Sequence, residues 1–345
     1  MSGLFLFRTP SFWYNPSLAG RIFSSILIPF GCLYTTAGKL RAMLTVPYKP
    51  SIPVICIGNL TAGGSGKTPS AIAIMDLVIQ NKLAKSPCFL IRGYGGEIVT
   101  PTLIDPDTHN TVQTGDEAQL LAQHAPVIIS ANRKSGAKLA EQNGFDIIIM
   151  DDGLQNPALK KDIALTIINA KKGYGTARLF PAGPLRETIK SGTKKTDAFV
   201  IVGNDDDIKN FEDSMPAVMK DKPLLRASYV AAKNHGITDT KNYVAFTGIA
   251  HPDNFRTTIE ELGGHIVSFH PYPDHYYYDT VDLDLFEQTA QNNAAQIITT
   301  EKDFVKLPKS FKERSSVIAL KMDLVWKDKK QLSILIKDKI SAAQN

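Results

Sequence analysis

The first 75 residues contain no aspartate or glutamate; the first acidic side chain is Asp76. Residues 1–50 nevertheless carry Arg8, Arg21, Lys39, Arg41 and Lys49. With those five removed from the 39 basic residues, the remaining 34 balance the 34 acidic ones, so the whole net charge of +5 belongs to the N-terminal segment. An excess so localised is not the footprint of a nucleic-acid-binding surface, and no nucleic-acid partner is expected. Cysteine is scarce: Cys32, Cys56 and Cys88 form no Cys-x-x-C pair and sit among apolar residues. That excludes a disulfide framework and a zinc finger and suits a reducing compartment. Low-complexity tracts and tandem repeats are also missing. Long hydrophobic runs are short of what a membrane span needs: positions 22–38 are uncharged, at the lower limit for crossing a bilayer, and Pro29 and Gly31 interrupt them. No small-residue cleavage site follows, which argues against a secretory signal.

What is present is a chain of 345 residues, 43% apolar, long enough for two domains. Its organising stretch runs from Val54 to Pro69. The β-branched run Val54-Ile55-Cys56-Ile57 enters a glycine-rich turn that ends in Gly66-Lys67-Thr68 and opens onto a helical Ala71-Ile72-Ala73-Ile74-Met75. Strand, loop and helix in that order are the context of a P-loop. Glycines 63, 64 and 66 let successive N–H groups converge on phosphate oxygens, Lys67 supplies a point charge, and the Thr68 hydroxyl can ligate Mg²⁺. The pattern G-x-x-x-x-G-K-[ST] is broken once, by Thr61 at its first glycine. A deviant assembly ATPase needs an extra lysine at the position of Ala62, and a GTPase needs [NT]-K-x-D; neither is found, and ATP is the expected nucleotide.

The reading divides the chain into an N-terminal segment 1–50, a P-loop core 51–230, a linker 231–242 and a smaller α/β domain 243–345. The first segment holds Phe5, Phe7, Phe12, Trp13 and Tyr14 before its uncharged stretch, which suits a helix lying in a membrane interface; packing on the protein's own core is the alternative. In the core, apolar runs at 54–57, 88–91, 126–129, 146–150, 164–168 and 198–202 predict parallel strands covered on both faces, a doubly wound α/β sheet with ligands at the strands' carboxyl ends. A further apolar run occupies 224–230. Strands at 243–247, 265–269, 296–300 and 316–321, with helices at 252–262, 280–293 and the C-terminus, build the small domain.

Several motifs fall at the strand ends. Arg92-Gly93-Tyr94-Gly95-Gly96 suits a loop close to phosphate, or simply a flexible turn. Asp116, in Thr114-Gly115-Asp116-Glu117-Ala118, is either chemical or a partner of a helix dipole. Arg133 could clamp a phosphate or face solvent. The strand Asp146–Met150 ends in Asp151-Asp152-Gly153-Leu154-Gln155, a Walker-B-like arrangement for holding Mg²⁺. Arg178 to Glu187 is a loop stiffened by proline and glycine. The aromatic loop Phe269–Tyr278 carries Asp274-His275, able to tune a base or to serve as a hydrogen-bonded structural loop.

Taken in order, these motifs resemble the tetraacyldisaccharide 4′-kinases of lipid A biosynthesis in Gram-negative bacteria. The resemblance rests on Phe12-Trp13-Tyr14, Val54 to Pro69, Arg92-Gly93-Tyr94-Gly95, Gly115-Asp116-Glu117, Asp151 to Gln155, Pro181 to Glu187, Asp274-His275 and Thr300 to Asp303. That family also has threonine at the position of Thr61; Leu154, Phe180, Gly96 and Thr188 depart from its usual residues. The resemblance implies transfer of a phosphoryl group from ATP·Mg²⁺ to the 4′-hydroxyl of a tetraacylated glucosamine disaccharide 1-phosphate, by a monomer at the cytoplasmic face of the inner membrane. It implies further that Thr61, Ala62, Gly63, Gly64, Ser65, Gly66, Lys67 and Thr68 hold the nucleotide, and that Thr68, Asp151, Asp152 and Glu187 serve the metal. Arg92, Tyr94, Arg133 and Gln155 would meet the acceptor, while Asp116 takes the hydroxyl proton with His275 as its dyad partner and Lys67 neutralises charge. A P-loop assembly or metallochaperone-type ATPase is the competing reading.

Overall fold

Consecutive β-branched residues favour extended backbone, and where both faces of a strand are apolar a sheet must be covered on both sides. The computed structural model of the chain, which describes residues 10–63 and 66–344, shows that outcome. Phe5, Phe7 and Arg8 of the basic, aromatic start lie outside the described residues, as do Gly64 and Ser65 of the phosphate loop.

Two helices come first, α1 (Leu18–Ile26) and α2 (Ile28–Leu44). The core then alternates β1 (Val54–Gly58), α3 (Lys67–Gln80), β2 (Pro87–Ile91), β3 (Thr102–Leu103), α4 (Thr111–Thr114), α5 (Asp116–Ala122), β4 (Val127–Ile129), α6 (Arg133–Gln142), β5 (Ile147–Asp151) and β6 (Ile163–Asn169). It continues through α7 (Ile189–Lys195), β7 (Ala198–Val202), α8 (Asp205–Ser214) and β8 (Leu224–Ala231). The small unit comprises β9 (Asn242–Thr247), α9 (Pro252–Glu261), β10 (His265–Pro271), α10 (Thr280–Asn292), β11 (Ala295–Thr300), α11 (Glu301–Phe304), α12 (Lys309–Arg314) and β12 (Ile318–Leu320). Last come β13 (Met322–Trp326) and α13 (Lys329–Gln344).

The large sheet has nine strands in the order β13-β8-β7-β6-β1-β5-β2-β4-β3. It is parallel except at its two edges, where β13 runs against β8 and β3 against β4. Alternate residues of β1 feed different layers. Ile55 and Ile57 pack with Ile74 and Leu77 of α3, while Val54 and Cys56 join Ala137 and Ala140 of α6. Full burial of such a side chain is worth about 1.5–3 kcal/mol, so the strand carrying the phosphate loop is among the firmest parts of the fold. The small sheet, β10-β9-β11-β12, is entirely parallel.

The chain therefore leaves the large sheet after β8 and comes back to it at β13. The sequence boundary that gave 243–345 to the small domain needs correcting: its sheet ends at Leu320. The reason is packing. Leu332, Ile336 and Ile340 form an apolar stripe on α13 that buries against the large sheet beside Leu225 and Ala227, and β13 covers the otherwise open edge of β8. The outgoing and returning chains pair where they cross, the Ala232 N–H donating to the Lys321 carbonyl at 2.9 Å.

The N-terminal helices grip the core on one side only. The buried Ser24 hydroxyl donates to the Ala182 carbonyl, Arg178 donates to the Ser24 and Ser25 hydroxyls at 2.9 and 3.0 Å, and the Trp13 indole donates to the Pro181 carbonyl at 3.1 Å. Leu18, Ile22, Ile26, Phe30 and Leu33 remain exposed. Among the described residues no single helix is long and apolar enough to cross a membrane; α1 and α2 pass that test only together, and they are bent by 45°.

Candidate functional site

The phosphate loop needs backbone that only glycine adopts easily. Gly63 and Gly66 have φ of 103° and 81°, and Gly66 leads directly into α3. Its neighbourhood is closed on one side by Tyr229 of β8, whose hydroxyl donates to the Gly66 carbonyl at 3.4 Å. The loop's other shoulder is joined to the 184–186 segment, with the Ala62 N–H donating to the Pro184 carbonyl at 2.7 Å and the Arg186 N–H to the Leu60 carbonyl at 2.8 Å. Lys67 thus starts the helix that follows β1, its ammonium 3.7 Å from Asp152.

β5 runs beside β1 and delivers its acidic end to the same place. Asp151 is 5% exposed; one carboxylate oxygen accepts from the Thr68 hydroxyl at 3.1 Å and the other has no protein donor. Burial, reinforced by the nearby Glu117 charge, pushes its carboxyl up to about 7. Asp152 turns away through a left-handed backbone, φ 49°, to meet Arg186 at 2.8 Å as well as Lys67. Burial works against its charge, but those two cations outweigh it and hold the carboxyl below its ordinary value. An unmatched buried carboxylate oxygen next to a threonine hydroxyl is the donor set that a hard divalent cation takes, so the residues fit Mg²⁺. The protein does not cage it: among the described residues no cluster of three or more His, Cys, Asp or Glu could hold a metal ion.

Glu187, expected at the metal, and Gln155 and Arg133, expected at the acceptor, are held by protein partners. Glu187 is engaged by Lys195 and Ser191, both at 2.7 Å, and by Gln155 at 3.3 Å. Gln155 also donates to the Asn59 carbonyl at 2.8 Å, tying Glu187 to the start of the phosphate loop. Arg133 is neither in solvent nor open to a phosphate. It is 3% exposed and donates to the carbonyls of Ser130 and Asp151 at 2.7 and 3.2 Å, bracing the ends of β4 and β5; burial pushes its guanidinium down to about 10. A basic residue just past a strand reads alike from sequence in either role.

Asp116 opens α5 on the core, and His275 lies on the loop after β10 of the small unit. Across the cleft the imidazole Nδ1 stands 2.9 and 3.1 Å from the two Asp116 oxygens. Lys302, opening the short α11, donates to His275 Nε2 at 3.2 Å and to Asp274 at 2.9 Å, and lies 3.8 Å from Asp116. An ammonium can only donate, so Nε2 accepts and Nδ1 carries the hydrogen that points to Asp116. Burial opposes the Asp116 charge, yet the His275 hydrogen bond and Lys302 hold its carboxyl below the ordinary value. The same hydrogen bond raises His275. Tyr94 is exposed with its ring 6.0 Å from that of His275, and Arg92 is exposed on the same loop.

Sequence reasoning gave no role to Glu117, Lys302 or Arg186, which the fold brings into this field. Glu117 is the link between the two halves: burial raises its carboxyl, and its charge acts on Lys302, Asp116, Lys67 and Asp151. Adjacency to Asp116 and membership of Thr300–Asp303 were the available signals for Glu117 and Lys302. Asp303, in contrast, is fully buried and satisfied by Lys306, Thr247, Thr300 and the Gly248 N–H, and it shapes the turn after β9.

A family model described as LpxK, tetraacyldisaccharide-1-P 4′-kinase, matches residues 23–341. The chain is 37% identical over 316 residues to the tetraacyldisaccharide 4′-kinase of Rhodospirillum rubrum, covering 91% of this chain and 93% of that one. It is 34% identical over 342 residues to that of Rhodopseudomonas palustris, covering 98% of both. A crystal structure of LpxK from Aquifex aeolicus in complex with ATP superposes with a TM-score of 0.76 at 26% identity, covering 92% of this chain and 99% of that one.

Proposed function

The chain belongs to the tetraacyldisaccharide-1-P 4′-kinase family, and we propose on that footing that it transfers the γ-phosphoryl group of ATP to the 4′-hydroxyl of a tetraacylated glucosamine disaccharide 1-phosphate, giving lipid IVA. The observation that carries the reading is the meeting of Asp116, on the unit that bears the phosphate loop, with His275 of the small unit.

Phosphoryl transfer is mostly positioning and charge neutralisation. Lys67 and the loop N–H groups hold the donor phosphates, aided by the positive end of α3. Thr68 and Asp151 would hold Mg²⁺, which would supply neutralisation of phosphate charge. Asp152, kept ionised by Lys67 and Arg186, fixes the lysine. Asp116 stays ionised beside Lys302 and accepts the proton of the sugar hydroxyl as its oxygen bonds to phosphorus. The bond from phosphorus to the β–γ bridging oxygen breaks, and ADP leaves. His275 orients the carboxylate and stabilises it until the proton arrives. Because His275 and Lys302 come from the small unit, the base is complete only when that unit is closed on the core, which also keeps water from the phosphoryl group.

The lipid acceptor agrees with the N-terminal segment. α1 and α2 expose an apolar face and carry basic residues without acidic ones, which suits attachment to the surface of an anionic bilayer. Between α2 and the core lies an open pocket of about 340 Å³, lined by Ile28, Cys32, Leu179, Leu185 and Ile189 together with Arg178 and Thr188, a largely apolar surface that suits an acyl chain. An assembly or metallochaperone ATPase finds no comparable support.

The test is transfer of labelled γ-phosphate to the tetraacyldisaccharide 1-phosphate in mixed micelles containing ATP and Mg²⁺. Labelled lipid product is expected. ATP hydrolysis with no labelled lipid would overturn the reading and return the assembly ATPase.

A further inference from the structure

His275 sits in the left-handed backbone region, at φ 62°, where a residue with a side chain is disfavoured. Backbone of that kind persists only where its surroundings over-determine it. The His275 N–H donates to the Gly248 carbonyl at 3.1 Å, and the Tyr276 N–H closes a turn onto the Pro273 carbonyl at 3.1 Å. Two turns, one after β9 and one after β10, therefore meet at His275. Those contacts join the turns to each other but do not fix where the imidazole points.

A buried ion pair reaches both turns. Lys306 and Asp303 approach to 2.7 Å, with side chains 1% and 0% exposed. The Lys306 ammonium donates to the Tyr276 carbonyl at 2.9 Å, on the residue that follows His275. One Asp303 oxygen accepts from the Gly248 N–H at 3.0 Å and from the hydroxyls of Thr247 and Thr300 at 2.8 and 2.7 Å. Lys306 thus holds the chain just past His275, and Asp303 holds the residue whose carbonyl receives the His275 N–H. Lys302, on the same short segment, meets the ring itself through Nε2 at 3.2 Å. The packing leaves little play: a methyl group on Gly248 would lie 3.0 Å from the Pro273 carbonyl oxygen and 3.2 Å from the Asp303 carboxylate. Taking two charges out of water is costly, and an apolar pair of like volume often serves a core as well. What an ion pair adds is direction, since its hydrogen bonds fix the groups they reach.

We propose that Asp303 and Lys306 are positioning residues for phosphoryl transfer: the pair holds His275 in its left-handed conformation from both sides and so aims Nδ1 at Asp116. This rests on the lipid kinase reading above. Both residues act through His275, and neither is asked to meet ATP or the lipid.

Lys306→Met alone would strand the Asp303 charge in the core, so the deciding variant is Asp303→Asn/Lys306→Met. It keeps an acceptor for the Gly248 N–H and releases the Tyr276 carbonyl. It also removes opposite charges together, so that Asp116 does not lose the field of Lys306 alone. On the tetraacyldisaccharide 1-phosphate in mixed micelles with ATP and Mg²⁺, its kcat should fall by about 10–100-fold, the scale of a misplaced group, with KM for ATP within about twofold of wild type. The same double change made in His275→Ala should lower kcat by less than about twofold, because the side chain it positions is already gone. Comparable losses with and without His275 would make the pair a general support of the fold, and an unchanged kcat would show that His275 needs no such clamp. Either result overturns the proposal and leaves the kinase intact. No labelled lipid from the wild type would instead sink the kinase reading, and this role with it.

Discussion

The Asp116 carboxylate and the His275 imidazole, 159 residues apart, stand 2.9 Å from one another, although one opens α5 of the core and the other lies in the small unit. Two groups acting as one device should not add when removed. Asp116→Asn is expected to lower kcat by about 10²–10⁴-fold and His275→Ala by less. The double variant should be no slower than Asp116→Asn within a few-fold, whereas independent roles would multiply the losses. Steady-state kinetics on the three proteins decides.

Lys302 is expected to set the acid limit of activity. It favours the ionised form of Asp116, so Lys302→Met should raise the pKa of that carboxyl, and the acid limb of the kcat/KM profile should move to higher pH. An unmoved limb in Lys302→Met would mean that the limb does not report Asp116.

Asp151 is expected to cost the fold stability at neutral pH. Its carboxyl, moved from 3.8 to about 7, binds its proton more tightly in the folded state than in the unfolded one. The contribution is complete below about pH 4 and is lost as pH rises through 7, by at most about 4 kcal/mol. Without nucleotide or metal, Asp151→Asn should therefore unfold at higher urea than wild type at pH 8 and show no advantage at pH 4. Phosphoryl transfer should fall in the same variant.

Gly66 is fixed by its conformation and by Tyr229. A methyl group there would lie 1.9 Å from the Tyr229 hydroxyl, at a φ of 81° that L-residues resist. Gly66→Ala should lose about 1–3 kcal/mol of stability and most nucleotide affinity. Adding Tyr229→Phe should recover part of the stability by removing the hydroxyl; calorimetry of the single and double variants gives the answer.

The exposed side chains of the N-terminal helices are predicted to bind lipid without holding the fold. Replacing Ile22, Ile26 and Leu33 together by serine should reduce co-sedimentation with anionic vesicles by about tenfold or more, since each apolar side chain removed from water is worth on the order of 1.5 kcal/mol or more. The melting temperature should stay within about 2 °C, because these side chains are already in solvent. Unchanged sedimentation would separate this face from the membrane.

Much of this protein was settled by local order along the chain. Continuous apolar runs at 54–57, 88–91 and 198–202 point to buried parallel strands, which cover both of their faces. Gly63, Gly66, Lys67 and Thr68 specify the phosphate loop, because φ near +80° to +100° and convergent N–H groups are properties of a few consecutive residues. Asp151 and Asp152 were legible for the same reason, being attached to the end of an apolar strand.

What lay beyond the sequence are the relations across the cleft and the return of the chain. Nothing local distinguishes Arg133 as a buried brace from Arg133 as a clamp, or Glu187 held by Lys195 from Glu187 open to a metal; the difference is which distant donors arrive. Residues 322–344 continue an α/β pattern that either sheet could have taken, and the open edge of β8 with the apolar groove beside it decided for the large one. Pairings such as Asp116 with His275 depend on the two sheets being set at one angle. That angle is fixed by tertiary packing, which a linear pattern of residue types does not encode locally.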